Sequence, residues 1–264
     1  MPRMTLGICP RALNQPLRRS LPMAAKMGAT CLELDAAGEL DPRRLSQTAR
    51  REVGGLFRSH QLALAALACP MRVGLDVPEQ QEERIDYVCQ AMSLSFDLGS
   101  RVVVIQQGEI PTDEKDPRFR FLADALMALG QHGDRIGATL ALETGIDSAE
   151  TLTTLLDRFD TGSLVVAYNP GNLLVHGHDP YQAVRSLKQR IKLIHAVDAR
   201  RAGSGRLARR VAVGHGDLDW LLLAGTFAEI EYVGPILVES DPVTSAAADL
   251  AAGLAFLRKL IPAA

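Results

Sequence analysis

Eight short apolar segments recur along the chain, and each is followed by a longer segment of helical character. The apolar segments are rich in leucine and β-branched residues and mostly lack charge, which is typical of strands covered on both faces. Between them, the dipeptide Asp179-Pro180 and the pair Asp147/Glu150 resemble helix-capping signals. The predicted strands cover residues 4–9, 30–35, 62–67, 101–106, 138–143, 163–168, 191–197 and 235–240.

This alternation predicts an α/β protein with a single (β/α)8 TIM barrel domain over residues 1–264. A doubly wound open sheet is the alternative fold. Such a sheet usually carries a GxGxxG phosphate-binding sequence after its first strand, whereas residues 6–15 (LGICPRALNQ) contain one glycine. No Pro/Gly/Ser-rich linker divides the chain. We therefore expect one closed barrel.

Composition excludes several classes of partner. The net charge of −2 gives no reason to expect binding to nucleic acid or to an anionic membrane. The four cysteines are far apart and form no CxxC pair, so we expect free thiols in a reducing compartment. No apolar run reaches the length of a signal peptide core or of a membrane span. We expect a cytoplasmic protein whose partner is a small molecule, and its oligomeric state stays open.

The ends of four consecutive predicted strands carry the polar residues that most constrain function. Strands five, seven and eight end in Glu143, His195 and Glu239, and strand six ends in Asn169. In a parallel barrel these ends share one face, where active sites are built. Two carboxylates about 4 Å apart repel by roughly 4 kcal/mol at an effective dielectric near 20, unless a proton or a cation relieves them. Mixed nitrogen and oxygen ligands suit Mn²⁺, Co²⁺, Zn²⁺ or Mg²⁺. The alternative is that each residue bonds to loop backbone.

Three further motifs accompany these strand ends: HAVDARR (195–201), VGHGDLDW (213–220) and LVHGHDP (174–180). Together they resemble the xylose isomerase-like TIM barrel family of sugar phosphate isomerases and epimerases. The resemblance implies one divalent metal ion, a catalytic carboxylate pair and polar contacts to substrate. The implied metal ligands are Glu143, Asn169, His195 and Glu239, the catalytic residues are Glu143 and Glu239, and the substrate-binding residues are Arg201, Asn172 and Asp198.

The resemblance implies a metal-dependent sugar or sugar-phosphate isomerase or epimerase that transfers protons through an enediolate. Asn169 stands where the family usually has aspartate, so we expect a retained but weakened metal site. The alternative is a catalytically impaired barrel that binds a sugar-like ligand or a partner. Five arginines between Asp198 and Gly216 favour an anionic carbohydrate, and Glu33 either faces the barrel mouth or bonds to a loop. A related DNA-repair endonuclease would need a histidine-rich trinuclear site, which six scattered histidines do not provide.

Overall fold

The computed structural model describes residues 4–202, 206–241 and 245–261. Eight parallel strands close into a barrel in the order β1-β10-β7-β6-β5-β4-β3-β2, which confirms the predicted TIM barrel fold. The barrel strands are β1 Thr5–Ile8, β2 Cys31–Asp35, β3 Ala63–Ala68, β4 Val102–Ile105, β5 Thr139–Glu143, β6 Leu164–Tyr168, β7 Ile191–Ala196 and β10 Pro235–Val238. The helices are α1 Leu17–Met27, α2 Gln47–Ser59, α3 Gln81–Asp97, α4 Pro117–Ile136, α5 Ala149–Leu156, α6 Pro170–Val175, α7 Pro180–Ser186, α8 Trp220–Glu229 and α9 Ala246–Leu260.

Small and medium apolar side chains fill the barrel interior. Because side chains alternate along a strand, Glu143, His195 and Glu239 share their face with Ala141, Leu193 and Leu237. The interior cluster contains these three apolar residues, as the alternation predicts. It also contains Cys9, Cys31, Ala66, Ala68, Val102, Val104 and Ala167. Glu143, His195 and Glu239 therefore lie next to this interior cluster, at the carboxyl end of the barrel.

Helix starts agree only partly with the sequence signals. Asp179 caps α7, where its carboxylate accepts backbone N–H bonds from Tyr181 and Gln182. The predicted Asp147/Glu150 capping box is wrong, because Ser148 caps α5. The shift by one residue leaves the Asp147 carboxylate free to accept a bond from another loop.

A hairpin occupies the segment that follows β7. Strands β8 Asp198–Ala202 and β9 Arg206–Val211 pair antiparallel, in a segment where the sequence predicted no strand. The hairpin packs against α6 at the carboxyl end of the barrel. Among the described helices, none has both the length and the apolar character needed to cross a membrane.

Candidate active site at the barrel mouth

Three predicted metal ligands converge at the barrel mouth. Glu143 ends β5, His195 lies near the end of β7, and Glu239 directly follows β10. One potential ligand atom from each lies within 4.8 Å of the other two. All three side chains are at most 10% exposed. The structure thus gathers two carboxylates and one imidazole around one point.

His195 is held between two carboxylates. Its Nε2 lies 2.8 Å from Glu33 Oε2, and its Nδ1 lies 3.1 Å from Glu143 Oε1. Burial alone would lower the pKa of His195, but the negative charges of Glu33 and Glu143 raise it well above its usual value. With Nε2–H donated to Glu33, Nδ1 is the ring atom that faces the converging ligands.

The sequence leaves open whether Glu33 faces the barrel mouth or bonds to a loop. It lies on β2 with a fully buried side chain, and Arg11 Nη2 binds its second oxygen at 2.7 Å. Burial raises the pKa of Glu33, whereas the charges of His195 and Arg11 outweigh burial and lower it. An acid between the two leucines of CLELD is the sequence signal for this role, because a buried carboxylate needs partners.

Amide groups surround the Glu143 carboxylate. Gln106 donates to Oε2 at 2.9 Å, while Asn169 and Asn172 donate to Oε1 at 2.8 Å and 3.3 Å. Burial would raise the pKa of Glu143, but the hydrogen bond and charge of His195, together with the amides of Gln106 and Asn169, lower it to about 2. Glu143 is therefore ionised at neutral pH.

Asn169 is completely buried and uses both ends of its amide. Its oxygen accepts the backbone N–H of Asn172 at 2.9 Å and so caps α6, while its nitrogen donates to Glu143. Rotating the amide would place its oxygen against the Glu143 carboxylate and its nitrogen against an N–H group, so the hydrogen bonds fix this orientation. Metal ligation by Asn169 stays a prediction, and it requires the second lone pair of the capping oxygen.

One arginine of the hairpin contacts a converging ligand. Arg210 Nη2 lies 2.9 Å from Glu239 Oε2, and Arg210 Nη1 lies 3.7 Å from Asp241. Arg201 is exposed, and its backbone N–H binds Asp217. Substrate binding by Arg201 stays a prediction. The side chain of Arg206, another arginine of this segment, lies outside the described part of the chain.

Asp198 organises the loop between the hairpin and α8. Its buried carboxylate accepts backbone N–H groups of Ala199, Gly214, Gly216 and Leu218, as well as the indole N–H of Trp220. A Cβ at Gly216 would lie 1.9 Å from Asp198 Oδ1, so the second glycine of the motif is needed for this close approach. The predicted substrate contact by Asp198 remains a prediction, and these five bonds leave its oxygens little capacity for one.

Two neighbouring cavities have Glu143 in their linings. The mouth cavity has a volume of about 190 Å³ and is lined by Arg11, Glu33, His195 and Glu239 among others. A second cavity, which we call the side cleft, has a volume of about 290 Å³. Gln106 and Glu143 line both cavities. The side cleft is also lined by Gln107, Gly108, Thr144, Gly145, Ile146, Asn172, Val175, His176 and Arg210.

The donor set at the mouth fits a divalent cation. Glu143, His195 and Glu239 offer two oxygens and one nitrogen within 4.8 Å of one another. Metal-binding histidines usually donate their other ring N–H to a carboxylate, and Glu33 accepts such a bond here. Both the ligand set and the support for its histidine are therefore present.

Comparisons with known proteins agree with this fold. The family described as "Xylose isomerase-like TIM barrel" matches residues 21–260. An inosose dehydratase from Clostridium tetani is 26% identical over 176 residues, which cover 55% of this chain and 59% of that relative. The match thus spans little more than half of the relative's length.

Two solved structures superpose on almost the whole chain. A xylose isomerase domain protein from Planctomyces limnophilus gives a TM-score of 0.85 at 20% identity, covering 98% of this chain and 96% of its own. A D-psicose 3-epimerase from Clostridium cellulolyticum, solved with D-tagatose, gives 0.78 at 15% identity, covering 97% and 99%. These likenesses support the fold. With the family match over residues 21–260, they establish that the chain belongs to the xylose isomerase-like TIM barrel family.

Proposed function

We propose that this protein is a divalent-metal-dependent enzyme that transfers a proton beside the carbonyl group of a sugar or sugar phosphate, as an isomerase or epimerase. The convergence of Glu143, His195 and Glu239 at the barrel mouth carries this proposal. The similarity in fold to a D-psicose 3-epimerase supports it.

Glu143, His195 and Glu239 would hold the metal ion, and Asn169 is the predicted fourth ligand. When bound, the ion supplies positive charge that stabilises a developing oxyanion. Glu33 and Arg11 fix the orientation of the imidazole from behind. This arrangement keeps the ligand set in place with little reorganisation.

The two mouth carboxylates supply the proton chemistry. Glu143 and Glu239 belong to strands separated by β6 and β7, so they approach the mouth from different sides. One carboxylate takes the proton from the carbon beside the carbonyl, and the electron pair of that C–H bond moves onto the carbonyl oxygen. Return of a proton to the opposite face of the same carbon gives the epimer, and return to the neighbouring carbon gives the isomer. Because Glu143 is ionised at neutral pH, it is available as a base.

A dehydratase is the second candidate, and the similarity to an inosose dehydratase favours it. The first half of the reaction is the same proton removal beside a carbonyl. In the second half, the hydroxyl group on the next carbon takes a proton and leaves as water, and a carbon–carbon double bond forms. The same two carboxylates could serve as base and acid, so the product decides between the candidates.

Proton exchange with solvent tests the proposal directly. The protein is incubated in deuterium oxide with Mn²⁺, Co²⁺ or Mg²⁺ and a panel of ketoses, ketose phosphates and inososes, and NMR follows loss of the proton beside the carbonyl. We expect exchange that falls about 10²- to 10⁴-fold in Glu143→Gln and Glu239→Gln. The matched control is Glu52→Gln, at an exposed position on α2.

The product spectrum separates the candidates. A new epimer or isomer supports the first, whereas a conjugated carbonyl product with ultraviolet absorption supports the dehydratase. The absence of exchange with every compound and metal would contradict both candidates. That result would favour the catalytically impaired barrel that binds a sugar-like ligand.

A further inference from the structure

We propose that the side cleft beside Glu143 binds the uncharged, hydroxyl-bearing chain of the substrate, and that Gln107 determines specificity there by accepting a hydroxyl hydrogen bond. The inference rests on the proposed function, because it concerns the part of the substrate that extends away from the reacting carbon. The side cleft and the mouth cavity share Gln106 and Glu143 in their linings, so a ligand in the side cleft lies beside the proposed catalytic carboxylate.

Gln107 lines the side cleft with an unused acceptor. The residue is 4% exposed, and its buried amide oxygen has no hydrogen-bond partner among the described residues. Buried polar atoms in folded proteins are nearly always paired, so this oxygen requires a specific explanation. The terminal torsion of a glutamine is broad and roughly two-fold, so a half-turn of the amide would turn its buried oxygen toward a ligand in the cleft. A hydroxyl group is the donor that a sugar provides.

The backbone that carries Gln107 is held in place. Its carbonyl accepts the N–H of Leu75 at 2.8 Å. The next residue, Gly108, has a φ of +98°, and a Cβ there would lie 2.2 Å from Asp76 Oδ1. Arg118 holds the other oxygen of Asp76. The backbone that carries the acceptor is therefore fixed by these contacts. A fixed acceptor is needed to distinguish one hydroxyl position of a ligand from another.

The charges around the side cleft favour a neutral ligand over a phosphate. Arg210 is a cation in the lining, and the carboxylates of Glu239 and Asp241 already neutralise it. Glu143 forms part of the same wall and adds no cation to it. The volume of about 290 Å³ is at the lower end of the range for small-ligand pockets, roughly 300–1,000 Å³.

The test measures dissociation constants by ligand-observed NMR with three probes: D-tagatose, D-fructose and D-fructose 6-phosphate. Gln107→Met keeps the side-chain length and removes the acceptor, and we expect it to weaken binding of the best neutral ketose about tenfold. Ile146→Trp, at an exposed position of the lining, should weaken the same binding by filling the cleft. Gln182→Met and Leu221→Trp are the matched controls at exposed positions elsewhere.

Three results would overturn the inference: unchanged dissociation constants in Gln107→Met and Ile146→Trp, tighter binding of the phosphate than of D-fructose, or no binding of either neutral ketose. The readout is binding, so it is independent of turnover. Weakened binding in the variants supports the cleft even if solvent exchange fails and the proposed function falls. Solvent exchange with unchanged binding in the variants refutes the cleft alone.

Discussion

Replacing Asn169 with aspartate should make the metal-free protein less stable and bind metal more tightly. The Asn169 amide nitrogen lies 2.8 Å from Glu143 Oε1 and donates to it. In Asn169→Asp, an oxygen that carries negative charge replaces this donor, while the other oxygen can still cap α6 by accepting from Asn172. The substitution therefore converts one attractive contact into a repulsive contact and leaves the helix cap intact.

The magnitude follows from this distance. Two unit charges 2.8 Å apart repel by about 6 kcal/mol at an effective dielectric of 20. Loss of a hydrogen bond to a charged group adds about 1.5–3 kcal/mol. Protonation of one carboxyl group and the nearby His195 cation reduce the total, so we expect a loss of about 2–4 kcal/mol in unfolding free energy at neutral pH. A divalent ion between the carboxylates reverses the sign of the effect, and metal affinity should rise at least tenfold.

Denaturant titrations with a chelator and with saturating Mn²⁺ measure both effects, and metal titration gives the affinity. Asn14→Asp is the matched control, because Asn14 is exposed and the substitution makes the same change in net charge. We expect Asn14→Asp to change neither quantity by more than about 0.5 kcal/mol. If Asn169→Asp and the original chain are equally stable without metal and bind metal equally well, Asn169 does not donate its amide N–H to Glu143.

Three further substitutions test the surroundings of the site. Glu33→Gln should lower metal affinity 10- to 100-fold, because it removes the negative charge that holds the imidazole of His195. Metal titration measures this affinity, with Glu52→Gln as the control. Equal affinities in the two variants would count against this role of Glu33. Burial raises the pKa of Asp147 to about 6, above about 3.9 in the unfolded chain, so stability is lost as pH rises from about 4 to about 6. With a discount for partial exposure, Asp147→Asn should be about 1–2 kcal/mol more stable above pH 7 and show no such gain below pH 4; a pH-independent difference would contradict this. Asp198→Ala should lower the free energy of unfolding by at least about 3 kcal/mol, since it leaves several buried N–H groups unpaired. The fluorescence emission of Trp220, the single tryptophan, should also shift. An unchanged spectrum and an unchanged stability would argue against this role of Asp198.

The barrel was predictable because burial on two faces leaves a clear pattern. Each of its strands is a short apolar run, and side-chain alternation then places the residue at the strand end relative to the interior. The companions Ala141, Leu193 and Leu237 lie in the interior cluster as that alternation requires. The same reasoning could not place the hairpin of β8 and β9, because its short, arginine-rich strands show no apolar run.

Side-chain roles at the mouth were less predictable because they depend on which partner each group meets. An amide offers both a donor and an acceptor, so the identity of Asn169 could not reveal that its nitrogen faces Glu143. The sequence alone does not distinguish the roles of Arg201 and Arg210. The antiparallel pairing of the hairpin brings Arg210 to Glu239. Asp198 matches a motif, but four of its five hydrogen bonds come from residues 214–220 and depend on how that loop folds.

The amide at position 169 also fits the charge balance of the whole mouth. Three carboxylates, those of Glu33, Glu143 and Glu239, face Arg11, Arg210 and the raised-pKa His195. A carboxylate at position 169 would add a further negative charge beside Glu143, whereas an asparagine adds none. A divalent ion must therefore compete with internal cations, and the proton on His195 must leave before its Nδ1 can act as a ligand. Metal affinity in this chain should consequently be lower than in a relative with aspartate at that position, and it should increase as the pH rises.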